Sequence, residues 1–299
     1  MQDIEADRAR FMDLSIPEYS YMLGFLHADG HLGGDPQGRG RLSVELNYRD
    51  VELLRKFQTI TPWYSSIRDR HRDTNMKTDA HSAVWLVSAR QCRARLVVAG
   101  MPSGAKSKSV RPPPGIFCAV DYFRGYLDGD GSVGTTANDL PFLSFGTGSE
   151  LMALAIERFL ASLTGKRKRV CRNRREGFFN LALFREDAQL VLRMLYYPNA
   201  LALARKQAAA QKALEWQRPE TMRKMAPRIE WEDEADTVIR VCSIDEAART
   251  LERSRSSIAN RRFRLARADD ARSGPYPPVS VDWRNSPALL AFLGGPVVI

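Results

Sequence analysis

The sequence predicts an α+β fold built from two similar halves with antiparallel sheets, followed by a small all-α module. Three observations support this prediction. A nine-residue phrase occurs twice in the 299-residue chain, as MLGFLHADG at 22–30 and FRGYLDGDG at 123–131. Each copy is followed by the same order of strands and helices at nearly the same offset. Beyond residue 240 the pattern changes to short, capped helices.

Each copy of the phrase predicts an apolar helix that ends at an aspartate, Asp29 in the first copy and Asp130 in the second. Small residues spaced four apart lie on one helix face, where missing side chains let another backbone approach closely. These small residues are Gly24 with Ala28, and Gly125 with Gly129. We therefore expect the two helices to pack face to face and to bring both aspartates to the same end.

Two carboxylates at helix C-termini predict a cation site, because each helix end carries about half a negative charge. With no His or Cys cluster nearby, oxygen ligands of this kind suit Mg²⁺, an ion that serves phosphoryl transfer. Gly30 and Gly131 follow the acids and are expected to take the positive φ with which a chain leaves a helix. The alternative for a single copy is a buried helix with a glycine cap, and the second copy favours the site.

The repeat continues beyond the two phrases. Leu42-Ser43 recurs as Leu143-Ser144, each in a predicted second strand. Hydrophobic periodicity then predicts helices at 50–60 and 150–163, second hairpins at 63–70 with 83–88 and 167–172 with 178–184, and further helices near Arg90 and Glu186. Each half therefore reads helix, two strands, helix, two strands, helix.

Basic residues cluster in the second hairpin of each half. They are Arg68, Arg70, His71, Arg72 and Lys77 in the first half, and Lys166, Arg167, Lys168, Arg169, Arg172, Arg174 and Arg175 in the second. One such run alone is equally well explained as a solvated face. Two matching runs in a chain of net charge +10 and pI about 9.7 favour a surface that follows phosphates.

Residues 15–216 resemble the single-chain, two-motif LAGLIDADG homing endonucleases in their motif pair, spacing and element order. The resemblance implies two halves, 1–110 and 111–216, whose motif helices form a pseudo-twofold interface. It also implies two four-stranded sheets that form a saddle over the DNA major groove. By the same resemblance the metal sites consist of Asp29 and Asp130 with Gly30 and Gly131, and they take Mg²⁺, or Mn²⁺ or Ca²⁺ in its place.

The resemblance further implies a basic residue late in each half, near each metal. Lys106 and Lys206 match these positions, with Lys108 as an alternative to Lys106. Such a group would orient water and offset charge on the phosphate, whereas the alternative is an ordinary surface lysine. The chain departs from the family pattern at His27, which replaces an Asp and is expected to be a structural or hydrogen-bonding substitute. It departs again at Arg124, which replaces a small residue and is expected to point off the interface.

The C-terminal part predicts a linker at 217–240 and a module at 241–270 that resembles a helix-turn-helix. Ser243 and Ser254 are the predicted N-caps of its two helices. We expect Ile258, Phe263 and Leu265 to point inward. The DNA-facing candidates are Ser256, Ser257, Asn260, Arg261, Arg262 and Arg264. Glu252 stands where the turn usually has Gly, and the alternative is a helical hairpin that buttresses the body. The tail, 271–299, has no functional interpretation.

The cysteine content and the lack of long apolar runs indicate in which compartment the protein acts. The four cysteines show neither metal-ligand spacing nor a disulfide framework, which predicts a reducing compartment. No signal peptide and no apolar run long enough to span a bilayer is found in the sequence. We expect a cytoplasmic, bacterial or phage-encoded protein that associates with the nucleoid when bound to DNA.

The function predicted from these features is Mg²⁺-dependent cleavage of both strands of double-stranded DNA. The protein would act as a monomer at a long site, pseudo-palindromic or asymmetric, and the resemblance implies 3′ overhangs. Two alternatives remain open on the same scaffold. One is a non-cleaving transcriptional regulator, which the two retained acids argue against, and the other is an intron RNA maturase.

Overall fold

The computed structural model describes residues 6–35, 38–73, 78–167, 170, 172–173, 177–222, 231 and 233–271. They fall into two compact units, one that ends at Arg218 and one that begins at Pro219. None of the helices among these residues is long and apolar enough to cross a membrane.

The first half contains every element that its sequence pattern predicts. These are α1 (Pro17–Asp29), β1 (Gly30–Gly34), β2 (Gly40–Asn47), α2 (Val51–Thr59), β3 (Ser66–Arg72), β4 (Ala80–Val87) and α3 (Arg90–Val98), with a 3-10 turn at Tyr48–Asp50. The strands form one antiparallel sheet in the order β1-β2-β4-β3.

The second half repeats this order and extends it by one helix. Its elements are α4 (Ala119–Asp130), β5 (Gly131–Thr135), β6 (Pro141–Thr147), α5 (Glu150–Thr164), β7 (Arg172–Asn173), β8 (Phe178–Phe184), α6 (Arg185–Leu195) and α7 (Ala204–Leu214). The strands pair antiparallel in the order β5-β6-β8-β7. The predicted α+β class, with two αββαββα halves and four-stranded sheets, is confirmed.

The strand predicted at 167–172 is misplaced, since β7 covers Arg172–Asn173. Gly165 ends α5 in the left-handed conformation, with φ of 67°. Two residues later, Arg167 donates from Nε to Oε1 of Glu157 on α5 at 3.2 Å. Its side chain therefore folds back on the helix that the chain has just left, and Arg167 is not part of the sheet.

Helices α1 and α4 pack through their glycines, as predicted. A Cβ added to Gly24 would lie 2.0 Å from the carbonyl oxygen of Tyr122, and one added to Gly125 would lie 2.1 Å from that of Tyr21. The two contacts are reciprocal, so each backbone occupies the space that a side chain of the other would need. This pairing forms the centre of the first unit.

Aromatic side chains join each motif helix to the rest of its own half. In the first half the Phe57 ring lies 5.6 Å from that of Phe25 and 5.8 Å from that of Trp85. In the second half Phe123 of α4 stacks on Phe159 with ring centroids 4.3 Å apart. Because α1 is buried from Tyr19 to His27, it has sheet and helix on one side and α4 on the other.

The C-terminal unit contains α8 (Asp233–Val241), α9 (Ile244–Thr250) and α10 (Arg255–Ala271) around a small core. Both predicted N-caps are confirmed. Ser243 forms a capping box with Glu246, and the backbone N–H of Ser257 donates to Ser254 Oγ at 3.3 Å.

The linker prediction was wrong over 233–240, which is helical. Asp233, Glu234 and Asp236 lie in the first turn of α8, where carboxylates interact favourably with the positive end of the helix. Ile239 on the same helix is fully buried against α9 and α10. The acidic stretch that indicated a linker is therefore a helix start.

Candidate active site and nucleic-acid interface

Asp29 and Asp130 are the last residues of α1 and α4, and the pairing of these helices brings them side by side. Below them, a Cβ on Gly129 would lie 2.3 Å from Cβ of Ala28 and 3.5 Å from Oδ2 of Asp29. Both aspartates are exposed. The close approach of the helices therefore places two accessible carboxylates at one end of the interface.

The surroundings of the two acids disfavour their charged forms. Burial, followed by the neighbouring Asp130 carboxylate, raises the pKa of Asp29 to about 6. Burial likewise raises the pKa of Asp130, against the opposing effect of Lys106 and Lys206. Solvent reaches the tip of each side chain while the body of the protein surrounds its other sides. A cation between the carboxylates would relieve this repulsion.

Gly30 and Gly131 do not take the positive φ that was predicted, since their φ values are −75° and −108°. The chain passes from each helix directly into an extended strand. The N–H of Gly30 donates to Leu26 O, and a Cβ there would lie 2.7 Å from that same oxygen. A Cβ on Gly131 would lie 2.3 Å from Leu127 Cδ1. Both glycines are therefore required by close contact and not by backbone conformation.

Lys106 and Lys206 donate to backbone carbonyl groups at and just beyond the C-terminal ends of the motif helices. Lys106 Nζ donates to His27 O at 2.6 Å and to Ala28 O. Lys206 Nζ donates to Leu127 O and Asp128 O, both at 2.7 Å, and to Gly131 O at 2.8 Å. Cations are favourable at helix C-termini.

The two lysines differ in how many of their N–H donors are already used in hydrogen bonds to backbone carbonyl groups. An ammonium group has three N–H donors, and the three carbonyl partners of Lys206 use all of them. Burial lowers the pKa of Lys206 to about 8, and it also lowers the pKa of Lys106. In this arrangement Lys206 supplies positive charge next to Asp130 but no free donor for water or phosphate. Lys108, the alternative to Lys106, is exposed.

His27 and Asp128 occupy matching positions in the two motifs, and each bonds a tyrosine of the other motif helix. Tyr21 Oη donates to Asp128 Oδ2 at 2.7 Å. The Tyr122 hydroxyl lies 2.7 Å from Nδ1 of His27, whose Nε2 lies 3.2 Å from the carbonyl oxygen of Gly100. A carbonyl only accepts, so Nε2 carries the proton and Nδ1 accepts from Tyr122. Burial lowers the pKa of His27 to about 3, and its predicted structural role is confirmed.

Arg124 is fully buried, and its hydrogen bonds are made within its own half. Its guanidinium donates to Leu201 O at 2.8 Å, Leu195 O at 2.9 Å and Asp121 Oδ1 at 2.5 Å. The same group also lies 5.2 Å from the ring centroid of Tyr21 on α1. Arg124 thus fixes the segment between α6 and α7, from which Lys206 follows.

The sequence interpretation missed Arg205. Its Nε donates to Oδ2 of the buried Asp50 at 3.0 Å, which joins α7 of the second half to the start of α2 in the first. With Lys206 and Ser132 it lines a cavity of about 200 Å³ beside Gly131. The residue was detectable as a difference between the repeats, because Ala105 precedes Lys106 where Arg205 precedes Lys206.

The chain resembles the LAGLIDADG homing endonucleases in three features. These are the two αββαββα halves, the order of the strands in each sheet, and the aspartates at the ends of paired, glycine-lined helices. A scan of protein-family models finds no match, and a search of curated proteins finds none either.

Solved structures similar to this chain include homing endonuclease I-WcaI bound to its DNA recognition sequence, with 10% identity, TM-score 0.48 and coverage of 68% of this chain and 89% of that one. Variants of homing endonuclease I-DmoI have 14% identity and a TM-score of 0.45, with coverage of 64% of this chain and 95% of that one. The I-LtrWI LAGLIDADG homing endonuclease bound to target DNA has 12% identity and a TM-score of 0.35, with coverage of 56% of this chain and 79% of that one.

In the first half, the predicted DNA-binding arginines lie on the sheet face turned away from the helices. Arg68, Arg70 and Arg72 alternate along β3 and are exposed. Glu45 on β2 pairs with Arg70 at 3.2 Å and with Arg72 at 3.1 Å. One carboxylate thus holds two arginines in place and leaves the face with net positive charge.

In the second half, Lys166 and Arg167 pair with carboxylates on the helices α6 and α5. Lys166 donates to Asp187 Oδ1 at 2.6 Å, and Arg167 contacts Glu157. Arg172 begins β7. The predicted contacts at Lys168, Arg169 and Arg174 lie outside the described residues.

Two residues predicted to contact DNA in the C-terminal unit, Arg261 and Arg262, form hydrogen bonds within that unit, and their DNA contacts stay a prediction. Arg261 Nε donates to Asp236 Oδ1 at 2.7 Å, and Arg262 Nε donates to Ile239 O at 2.9 Å. Both bind α8, the helix that the linker prediction excluded. Ser256, Asn260 and Arg264 are exposed, as predicted, and Ser257 is half-buried. Among the residues predicted to point inward, Ile258 is buried whereas Phe263 is 60% exposed.

Proposed function

We propose that this chain is a site-specific endonuclease that cuts both strands of double-stranded DNA with the help of Mg²⁺. The observation that carries the proposal is the pair of exposed aspartates at the joined ends of α1 and α4. Two accessible carboxylates whose pKa values are raised together are typical of a cation site that serves phosphate chemistry.

The donor set fits Mg²⁺. Among the described residues no group of three or more His, Cys, Asp or Glu side chains could hold a metal. Mg²⁺ commonly keeps several waters and is bound by one or two carboxylates plus substrate phosphate. Bound by Asp29 and Asp130, it would polarise the scissile phosphate and activate water. The carboxylates would be the principal protein ligands, and the carbonyl of Gly131 also accepts from Lys206.

The other residues of the site act on charge and position. Lys106 and Lys206 offset the negative charge of the helix ends and of the phosphate. The face of the first sheet that carries Arg68, Arg70 and Arg72 follows the phosphates of one half-site, and the second sheet contacts the other. By resemblance to the family the products carry 3′ overhangs. The C-terminal unit would add contacts through Ser256, Asn260 and Arg264, which are the predicted DNA-facing residues that remain exposed.

The test is cleavage of a randomised double-stranded DNA library with Mg²⁺, followed by sequencing of the ends. We expect one long site with uniform overhangs for the wild type and loss of cleavage, by at least about a hundredfold, for Asp29→Asn and Asp130→Asn. Asp139→Asn is the matched control. Asp139 is exposed in a turn at φ of 52°, a conformation that Asn also adopts.

Three other results would contradict the proposal. Sequence-specific binding without cleavage under Mg²⁺ or Mn²⁺ would indicate a regulator. Tight binding to structured RNA without DNA cleavage would indicate a maturase. Cleavage that survives both Asp→Asn changes would mean that the two acids are only helix ends.

A further inference from the structure

The face of the second sheet that points away from the helices carries exposed phenylalanines. Along β8, burial alternates so that Phe179, Leu181 and Leu183 are in the core. Phe178 and Phe184 point the other way, and they are 38% and 48% exposed. Large apolar side chains therefore remain in water on this face.

The neighbouring strand adds a third phenylalanine to the same face. Phe142 on β6 pairs directly with Phe184, and it is half-buried. At the other end of the strands, the ring of Phe178 covers Gly146, where an added Cβ would lie 2.4 Å from Phe178 Cζ. The phenylalanines thus stand at two places on the face and not in one continuous patch.

Small or polar uncharged residues occupy the space between them. We define the second-half open face as Phe142, Ser144, Gly146, Phe178, Asn180, Ala182 and Phe184. The corresponding face of the first sheet carries Arg41, Glu45, Arg68, Arg70 and Arg72. The two sheets have the same topology, and on their second strands Phe142 and Gly146 stand where the first sheet has Arg41 and Glu45. Arg68, Arg70 and Arg72 lie on β3, whose counterpart β7 is outside this comparison.

We propose that the second-half open face reads thymine methyl groups in the major groove of the target DNA. This inference rests on the proposed function. The C5-methyl of thymine is the apolar group that a base pair presents in that groove, and Phe is among the side chains suited to contact it. Asn180, between the phenylalanines, is suited to the N6 and N7 atoms of adenine.

Continuity with the two acids favours DNA as the occupant. β5 begins at the residue after Asp130, and an added Cβ on Gly146 would lie 3.0 Å from the Asp130 carbonyl oxygen. Phe178 therefore lies at the catalytic end of the sheet. DNA bound near the two aspartates would continue along this face, because the chain has a net charge of +10 and attracts a polyanion.

Strand geometry gives the spacing of the contacts. Phe178 and Phe184 are six positions apart on β8, which at about 3.3 Å per residue is roughly 20 Å. With base steps of about 3.4 Å, this corresponds to roughly six base pairs. The target half-site should therefore hold one thymine near the cut and another about six base pairs further out, at Phe142 and Phe184.

The test uses the full-length protein and the site recovered by cleavage selection. Each thymine of that half-site is replaced by deoxyuridine, which pairs identically but lacks the methyl group. We expect binding to weaken about fourfold at each contacted position. In Phe184→Gln the outer position should become insensitive to the replacement. Leu190→Gln, which removes a 42% exposed leucine from α6, is the matched control and should keep the full deoxyuridine response.

The outcomes separate this inference from the proposed function. If the wild type cuts a defined site but ignores deoxyuridine throughout, the thymine reading is overturned and the nuclease stands. If the protein dimerises without DNA and Phe184→Gln abolishes the dimer, the face binds a second copy and the inference also fails. If no DNA is bound at all, both proposals fail. The deoxyuridine series needs no variant, so misfolding of Phe184→Gln cannot hide the answer.

Discussion

The two motif copies share one hydrogen bond and differ in the next. In each, a tyrosine from the facing helix donates to an acceptor near the helix end, Tyr122 to His27 and Tyr21 to Asp128. Beyond the tyrosine the copies differ. His27 donates to the Gly100 carbonyl, whereas Asp128 accepts from the backbone N–H of Leu203 at 2.8 Å. One position therefore requires a neutral donor and the other an acceptor.

The neighbouring helix ends explain this difference. Leu203 is the N-cap residue of α7, and the positive end of a helix favours a carboxylate. Gly100 lies just beyond the last residue of α3, where unpaired carbonyls favour a donor. The repeat thus shows that residues at matched positions follow the polarity of the local backbone and not the motif alone.

The largest effect should come from the contact that both copies share. Gly24→Ala or Gly125→Ala would push a Cβ to within 2.1 Å of a backbone oxygen, which cannot move without separating α1 and α4. We expect each to lower the free energy of unfolding by about 3 kcal/mol or more. Urea denaturation measures this. Gly33→Ala, whose nearest neighbour is the His31 ring at 3.1 Å, should cost far less. Equal losses in all three would contradict the interlocked packing.

The next largest effect should come from exchanging a hydrogen-bond acceptor for a donor, or the reverse, at the matched positions His27 and Asp128. Asp128→Asn would turn an amide N–H toward Tyr21, Tyr196 or Leu203, all of which donate to this carboxylate. We expect a loss of about 2 to 3 kcal/mol in the free energy of unfolding. In the other copy, His27→Asp should also destabilise, because a carboxylate would face the Gly100 carbonyl.

The motif consensus makes the opposite prediction for His27→Asp, since it restores the acid that the first copy lacks. Thermal and urea unfolding of the variant would decide between the two. A more stable His27→Asp protein would show that the motif, and not the local backbone, sets this position.

The two lysines should differ by a smaller amount. Lys206→Met removes the side-chain donor from three carbonyl groups at a buried site, of which Leu127 O still accepts from the N–H of Gly131. Lys106→Met removes it from two carbonyl groups at a half-buried site. We expect losses of about 2 and 1 kcal/mol, measured by urea denaturation. Lys108→Met, at an exposed position, is the control. A larger loss for Lys106→Met would contradict the hydrogen-bond assignment.

The last prediction concerns pH, and the size of its effect depends on how far the pH falls below 6.5. Because the pKa of His27 falls to about 3 from an ordinary 6.5, the unfolded state binds the extra proton between these values. The stability contributed by neutral His27 is complete above pH 6.5 and is lost as the pH falls toward 3, at up to about 1.4 kcal/mol per unit.

The comparison with His27→Gln isolates this slope, since Gln does not titrate. The raised pKa of Asp29 acts in the opposite sense between pH 3.8 and about 6, but equally in both proteins. Urea unfolding from pH 4 to 7 should therefore show a steeper loss in the wild type. Parallel curves would mean that His27 is not held neutral.

The sequence could predict the parts that rest on periodicity and on local chemistry. The spacing of Gly24 and Gly125, the helix ends at the two acids and the caps at Ser243 and Ser254 all follow from neighbours within a few residues. The carbonyl contacts of Lys206 could not be predicted in this way, because its partners lie 75 to 79 positions away.

The errors have related causes. An amphipathic pattern shows that Arg261 and Arg262 are polar, but not that Asp236 and the Ile239 carbonyl lie opposite them. Both partners lie on α8, which the sequence pattern assigned to a linker, so no contact with them was predicted. At Gly30 and Gly131, a glycine after a helix was interpreted as a left-handed cap, although the following strand required only space for Leu26 and Leu127.

The burial of α1 on all sides has a consequence for synthesis on the ribosome. Its covering partner α4 lies about 100 residues later in the chain, which at roughly 5 to 20 residues per second is about 5 to 20 seconds of translation. Until then, the apolar stripe with Gly24 at its centre stays exposed in the nascent first half. Apolar surface that is exposed in this way promotes association between unfinished chains, so slow translation would favour aggregation.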